Sequence, residues 1–548
     1  MRRLLIGLAM CASLASCGGS GDNGPALSLT ASTPANGAAS VARTVSPQLT
    51  FGAALDPASV TPQSVTLTSV AGPQPAAVVA SGNRLTITPA AMLLPMTTYT
   101  ITVGTGVKGS MGEGLSTPIT TTFVTQDGIW HPSVPIDGNT PGTDYGPQIA
   151  FAPNGNALAA WTNYQAGSAS TLGSLLIWAS RYIAGSGWGA PELVGSFNAE
   201  EANGPSVGSA SVDSAGNANV VINYGVSAQH NAYASHYATG GGWDAPKSIG
   251  LDETSYLTGF AADSAGNLFA VGWSFDLGLA HYSLWSNQYR ANGGWGTASV
   301  INTVGATSVQ WPVVTTGPDG TALAVWGQTD VNNKCSIWSA VYAAGGGWGA
   351  PSFLTSSEYC YAQIASDANG NALAMWIQFD GTRYSMWTSR YAPGVGWGAS
   401  TQVTDSVTGT AEIAVNAVGN AVAVWVLSDG THDQLWSSRY APGVGWGVAA
   451  LANSGDGGDV TLPNSVLDAS GNAIVAWYKL VGGQLDSAWA SRFTPRNGWA
   501  PATLLDASPA APSNTSGIAL SLDASGNAMA VQAHTLATGD RIYAERFD

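Results

Sequence analysis

The sequence predicts an all-β fold, and three observations carry that prediction. Residues 28–126 hold short segments of alternating apolar and polar side chains, broken by Pro and Gly. From Trp130 onward the chain repeats itself about every 52 residues, a period typical of radially repeated sheets. The composition, with 69 glycines, 28 prolines and only 9% charged residues in 548, favours turns and argues against a solvated, highly charged disordered chain. No apolar run reaches the ~18 residues of a membrane helix. A net charge of −16 speaks against nucleic acid as a partner, because phosphate backbones bind to basic surfaces.

The N-terminus gives the address. Met1-Arg2-Arg3 is a positive start and Leu4 to Leu14 a short apolar core, the pattern of a secretion signal. Leu14-Ala15-Ser16-Cys17 resembles the lipobox of bacterial lipoproteins. That resemblance implies cleavage before Cys17 and a diacylglycerol on its thiol. With Gly18 rather than Asp following, it also implies anchoring in the outer membrane, facing the periplasm or the cell surface. Loss of Arg2 and Arg3 leaves 15 basic against 33 acidic residues, or −18. Residues 18–27 read as a flexible tether, Gly-rich from Gly18 to Gly24. Cys11 leaves with the signal, so Cys335 and Cys360 remain, and an oxidising compartment permits a disulfide between them.

In residues 28–126 the strands Gln48–Phe51, Ser64–Thr68, Arg84–Thr88 and Thr98–Val103 have the spacing of a β-sandwich. The segment resembles the bacterial Ig-like domain of S-layer proteins (SbsA Ig-like). Thr33-Pro34-Ala35-Asn36-Gly37, Leu49-Thr50-Phe51 with Leu55-Asp56-Pro57, Leu94 to Tyr99 and the ending from Gly106 to Phe123 carry the resemblance. It implies a spacer or adhesive module without a catalytic role. Gly104-Thr105-Gly106-Val107-Lys108-Gly109 spells a dinucleotide fingerprint, but more glycine and a strand follow where that motif needs a helix.

In the repeat, a turn glycine recurs eight times, at Gly155, Gly216, Gly266, Gly320, Gly370, Gly419, Gly471 and Gly526. A tryptophan opening the last strand of each unit recurs only seven times, at Trp188, Trp243, Trp295, Trp348, Trp397, Trp446 and Trp499. The eighth is Trp130, ahead of the first unit, and the last unit stops at Asp548 without its final strand. A ring closed by pairing the two chain ends explains the offset, because closure removes open sheet edges. Residues 127–548 are therefore predicted to form an eight-bladed β-propeller, four strands (a to d) per blade.

Further tryptophans recur in strand b (Trp161, Trp326, Trp376, Trp425, Trp477, with Trp273 one place off) and in strand c (Trp178, Trp285, Trp338, Trp387, Trp436, Trp489). An aromatic residue in every blade reads as inter-blade packing. One sugar-stacking platform per blade is the other use of such a set. The Asp-x-x-Gly-Asn turns at Asp213, Asp263, Asp367, Asp468 and Asp523 read as turn chemistry, since a calcium loop needs more oxygen ligands at closer spacing.

The b–c and d–a loops are expected to share one face of the disc and to vary between blades, which makes that face the candidate for binding. Its residues include His230, Asp276, His281, Asp330, Asp380, Arg383, Asp429, His432 and Asp433, with Trp311 and Tyr359 among Glu200, Glu201, Asp252, Glu253, Glu358, Asp405, Asp456 and Asp459 in the d–a loops. Such a face suits a glycan, a cationic ligand or Ca²⁺, though no motif demands a cofactor. A solvated loop surface is the plainer reading. Cys335 and Cys360 fall in neighbouring loops of that face. Gly204-Pro205-Ser206-Val207-Gly208 matches the nucleophile-elbow pattern in an expected d–a loop, without the strand-turn-helix context it needs. No His-Glu-x-x-His or zinc cluster occurs. The expectation is a lipid-anchored binding or adhesion protein for a glycan or protein. A polysaccharide-active hydrolase or lyase and a purely structural envelope component are the alternatives.

Overall fold

A computed structural model describes residues 26–167, 173–198, 203–226, 229–251, 254–263, 265–276, 281–291, 293–301, 306–453, 459–481, 484–505, 511–512, 517–536 and 539–548. The signal, Cys17 and its lipobox, most of the tether, and Glu200, Glu201, Asp252, Glu253 and Asp456 lie outside the described residues. The chain is all-β. Its only helical pieces among the described residues are two three-residue 3-10 turns, Pro57–Ser59 and Pro318–Gly320. The chain separates into two compact units, one running to Ala91 and including Thr98–Val124, the other comprising Met92–Thr97 and Thr125–Asp548.

The first unit holds two antiparallel sheets. One has Leu29–Thr33, Gln48–Phe51, Arg84–Pro89 and Ala76–Ser81 in that order. The other has Ala38–Val41, Ile119–Thr125, Thr98–Val103, Val65–Ser69 and Gly72–Gln74. Alternation along the strands buries Leu49, Phe51, Leu67, Leu85, Ile87, Tyr99, Ile101 and Phe123. Tyr99 stacks on Phe123 with ring centroids 5.6 Å apart.

The second unit holds eight repeated antiparallel sheets, each a meander of four strands. The fifth shows the pattern: a is Ala362–Ser366, b Ala372–Phe379, c Tyr384–Ala392, and d comes in two pieces, Gly396–Trp397 and Thr401–Thr404, both paired with c. The break in d was not foreseen. A Pro follows the d-strand tryptophan by three residues in three units (Pro191, Pro246, Pro351) and by two in another (Pro501), and cannot donate to the ladder there. The eight turn glycines have φ between 73° and 85°, a region closed to most side chains.

Strand b is buried on both sides, and its alternate residues serve two neighbours. Ala374 and Trp376 pack towards sheet four, while Leu373, Met375 and Ile377 pack towards sheet six. Eight clusters of this kind join consecutive sheets. One joins Trp161 and Ala159 of sheet one to Met529, Val531 and Ala533 of sheet eight. The eighth sheet is built from both ends of the repeat. Val134–Pro135 pairs with Gly539–Phe547, and the Ile129 amide donates to the Asp548 carbonyl at 2.9 Å. Trp130 bridges Phe547.

Candidate functional site

The repeated aromatics of strands b and d are framework. The five b-strand tryptophans are 0–1% exposed. In sheet three Gly272 holds that register position, and Trp285 of strand c fills the space while Trp273 stacks on Tyr256. Each d-strand Trp packs against a Tyr or Phe of its own strand c with ring planes 57–69° apart and centroids 5.4–5.7 Å apart, Trp130 with Phe547 included. Trp348, Trp397, Trp446 and Trp499 each donate through Nε1 to a hydroxyl on strand c of the preceding sheet (Ser286, Ser339, Thr388, Ser437) at 2.7–2.8 Å. Rings so engaged are not platforms for a ligand.

The Asp-x-x-Gly-Asn carboxylates are likewise occupied. Asp367 Oδ1 accepts from the Asn369 and Asn371 amides and Oδ2 from the Asn371 side chain, at 2.7–2.9 Å. The same chemistry claims three residues assigned above to the binding face. Asp330 accepts the Asn332 and Lys334 amides. Asp380 accepts the Thr382 hydroxyl and the Thr382 and Arg383 amides. Asp429 does the same with Thr431 and His432. The Thr382 and Thr431 hydroxyls, with those amides, hold the carboxyls of Asp380 and Asp429 at about 2. These aspartates cap turns.

Several other expectations shift by a few residues. His230, Asp276, His281 and Asp433 lie at strand ends rather than in loops, because the b–c hairpins are tighter than expected; Val226 pairs with Gln229 across two residues. The side chains of His230, Asp276 and His281 lie outside the described residues. Arg383 reaches Asp405 at 3.3 Å, and His432 reaches Asp459 at 3.5 Å, in separate blades. Ser206 and the elbow-like motif sit in the inner strand Asn203–Val212, not in a loop. Trp311 is also in an inner strand, Ser308–Thr316, where pairing skips from Gln310 to Val313. It has a φ of 46° and is 57% exposed. Among the described residues no group of three or more His, Cys, Asp or Glu side chains is arranged to hold a metal ion.

A different constellation emerges between sheets five and six. Cys335 and Cys360 are disulfide-bonded, with Cα atoms 5.5 Å apart. The bond fixes the loop carrying Tyr359, whose ring lies 6.1 Å from Tyr384 and 6.3 Å from Tyr361. Phe379 backs Tyr384 at 4.7 Å. Tyr359 and Tyr384 remain 49% and 43% exposed at the rim of a cleft of about 390 Å³, floored by Ile377, Val407 and Gly409.

Tyr361, Thr410 and Ala411 also line a second cavity of about 510 Å³ bordered by inner strands of sheets one, five, six, seven and eight. Its walls include Gln148, Gln363 and Asn464, and one carboxyl, Glu412. Burial pushes Glu412 up to about 8, against the pull of Ser465 on the next inner strand. Its Oε2 is sealed from solvent with no hydrogen-bond partner among the described residues. Burial likewise raises Tyr361 to about 12, with Glu412 contributing.

Of these residues, sequence reasoning singled out only Tyr359 and the two cysteines. Tyr361 had a signal, as a tyrosine beside the cysteine-bearing loop, whereas Tyr384 has a counterpart in Tyr282 of the third unit. Glu412 had a fainter one: it stands in Ala411–Val415, aligned with Gln363 in the preceding unit.

Residues 23–125 match the family model described as Bacterial Ig-like domain. No curated protein matches the chain. Similar solved structures include a puromycin hydrolase (14% identity, TM-score 0.42, 73% of this chain and 59% of that one). A polysaccharide lyase is similar at 10% identity and a TM-score of 0.40, over 76% and 99% of the two chains. The β-propeller domain of the Trilobed protease from Pyrococcus furiosus is similar at 9% identity and 0.38, over 61% and 90%. The chain thus spans about three fifths of the hydrolase's length.

Proposed function

We propose that this is a lipid-anchored outer-membrane binding protein, in which an Ig-like spacer of the S-layer type carries an eight-bladed propeller that binds a glycan in the Tyr359–Tyr361–Tyr384 cleft. The observation that carries the reading is the cleft itself. Its rim tyrosines are two exposed aromatic rings in contact with each other, and one is fixed by a disulfide. Flat aromatic faces beside hydroxyl and backbone groups suit a pyranose ring, which offers both C–H faces and hydroxyls.

Ring closure by the chain ends is part of the proposal. Supporting it, Arg546 of sheet eight donates to the Tyr182 hydroxyl of sheet one at 2.7 Å and lies over that ring, as Arg181 lies over Tyr237 between sheets one and two. A hydrolase or lyase on the same scaffold is the second reading, favoured by Glu412, whose raised pKa is that of a general acid. Glycoside cleavage ordinarily needs a second carboxyl, and none lines either cavity among the described residues.

The test is a glycan array probed with the detergent-solubilised full chain. Saturable binding to one glycan class, weakened at least tenfold by Tyr384→Ala, supports the reading. A blank array, or binding indifferent to Tyr384→Ala, overturns it.

A further inference from the structure

We infer that the glycan taken by this cleft carries free amino groups, its sugar ring held by the tyrosines and the ammonium of the neighbouring unit paired with Glu412. The inference rests on the glycan reading above and narrows it. Three observations converge. The aromatic cleft and the polar cavity share Tyr361, Thr410 and Ala411, so a chain lying in one runs into the other. Glu412 is the only acidic side chain lining either cavity, and no Lys, Arg or His lines them, among the described residues. Its Oε2 has no partner there. Ser465 hydrogen-bonds the carboxyl, but a carboxyl oxygen removed from water and left without a partner is costly, and a bound cation supplies one.

The groups facing Glu412 are otherwise neutral. On the preceding inner strand stand Gln363 and Tyr361, whose phenol stays protonated well above neutrality. On the following one stand Asn464 and Ser465, and Val424 pairs with Glu412 within the sheet. A neutral glycan meets the protonated carboxyl, whereas an ammonium stabilises the carboxylate. Burial keeps the free carboxyl largely protonated at pH 5.5, where the sugar amine is already an ammonium, so binding it releases the carboxyl proton to the buffer. No covalent bond changes.

The experiment is calorimetry on the detergent-solubilised full chain at pH 5.5, in two buffers of different ionisation enthalpy. The probes are a β-1,4-linked glucosamine tetramer and its fully N-acetylated counterpart. The amine form is expected to bind about tenfold or more tightly, with release approaching one proton. Glu412→Gln is expected to abolish both the preference and the proton release, whereas Tyr384→Ala is expected to weaken binding of both forms. Equal binding of the two forms without proton release overturns this inference and leaves the glycan reading standing. Binding of neither form by the wild-type chain overturns the inference, while the array separately decides the broader reading. The wild-type proton count stands even if Glu412→Gln fails to fold.

Discussion

Asp144 occupies a position where the fold disfavours its charge. It is fully buried, accepts a hydrogen bond from Asn163 at 2.7 Å, and has its pKa raised to about 8 by burial, with Asp137 adding to the rise and Arg541 opposing it. In the unfolded chain the same carboxyl ionises near 4. Its protonated form is therefore tolerated fully below that value, and stability falls as pH climbs from about 4 towards 8, by about 1.4 kcal/mol per unit within the window. Asp144→Asn keeps the acceptor for Asn163 and removes the proton. It should melt above the wild type at pH 8 and level with it at pH 4. Parallel pH profiles for the two proteins would count against this account. Side-chain chemistry of this local kind was partly legible. The turn aspartates were read correctly from Asp-x-x-Gly-Asn, yet Asp380 and Asp429 were read as binding residues. They do the same work in a shorter turn, Asp-Gly-Thr, and only the Thr382 and Thr431 hydroxyls distinguish them as caps.

At the scale of elements, the repeat period fixed which strands exist but not how they deviate. The inner strands of sheets one, four and seven each skip register at a residue with positive φ followed by Pro: Gly146-Pro147, Trp311-Pro312 and Leu462-Pro463. Proline removes a ladder donor and bends the strand, and this is why Trp311 emerges from a strand instead of a loop. Tertiary placement of that kind is invisible to a repeat alignment. The loop held by Cys335 and Cys360 is a further irregular element. Closing 25 residues should contribute about 3 kcal/mol. Cys335→Ser combined with Cys360→Ser is expected to lower the denaturant midpoint by a corresponding amount and to weaken glycan binding through Tyr359. An unchanged midpoint would show that the loop is held by its other contacts.

For the whole molecule, the most informative part of the sequence was a mismatch, eight turn glycines against seven d-strand tryptophans. It located Trp130 opposite the chain's end, and Trp130 does lie against Phe547 with their rings 5.5 Å apart. Deleting Ile129–Ile136 strips sheet eight of its last strand, uncovers Phe547 and removes the Ser133 bond to Glu545 at 2.6 Å. That variant, or one lacking the last eight residues, should lose several degrees or more in melting temperature, while trimming Gly18–Gly24 leaves it unchanged. Equal melting temperatures would sink the proposed ring. The proposed site was far less legible, because its cavities are assembled from strands of several sheets with no shared motif. The same seam has a kinetic side. Ser133 and Glu545 are 412 residues apart, so at ordinary synthesis rates about 20–80 s separate their appearance. Val134–Pro135 therefore precedes its partner strand by most of the chain, and a product that ends before Tyr543 never supplies that partner.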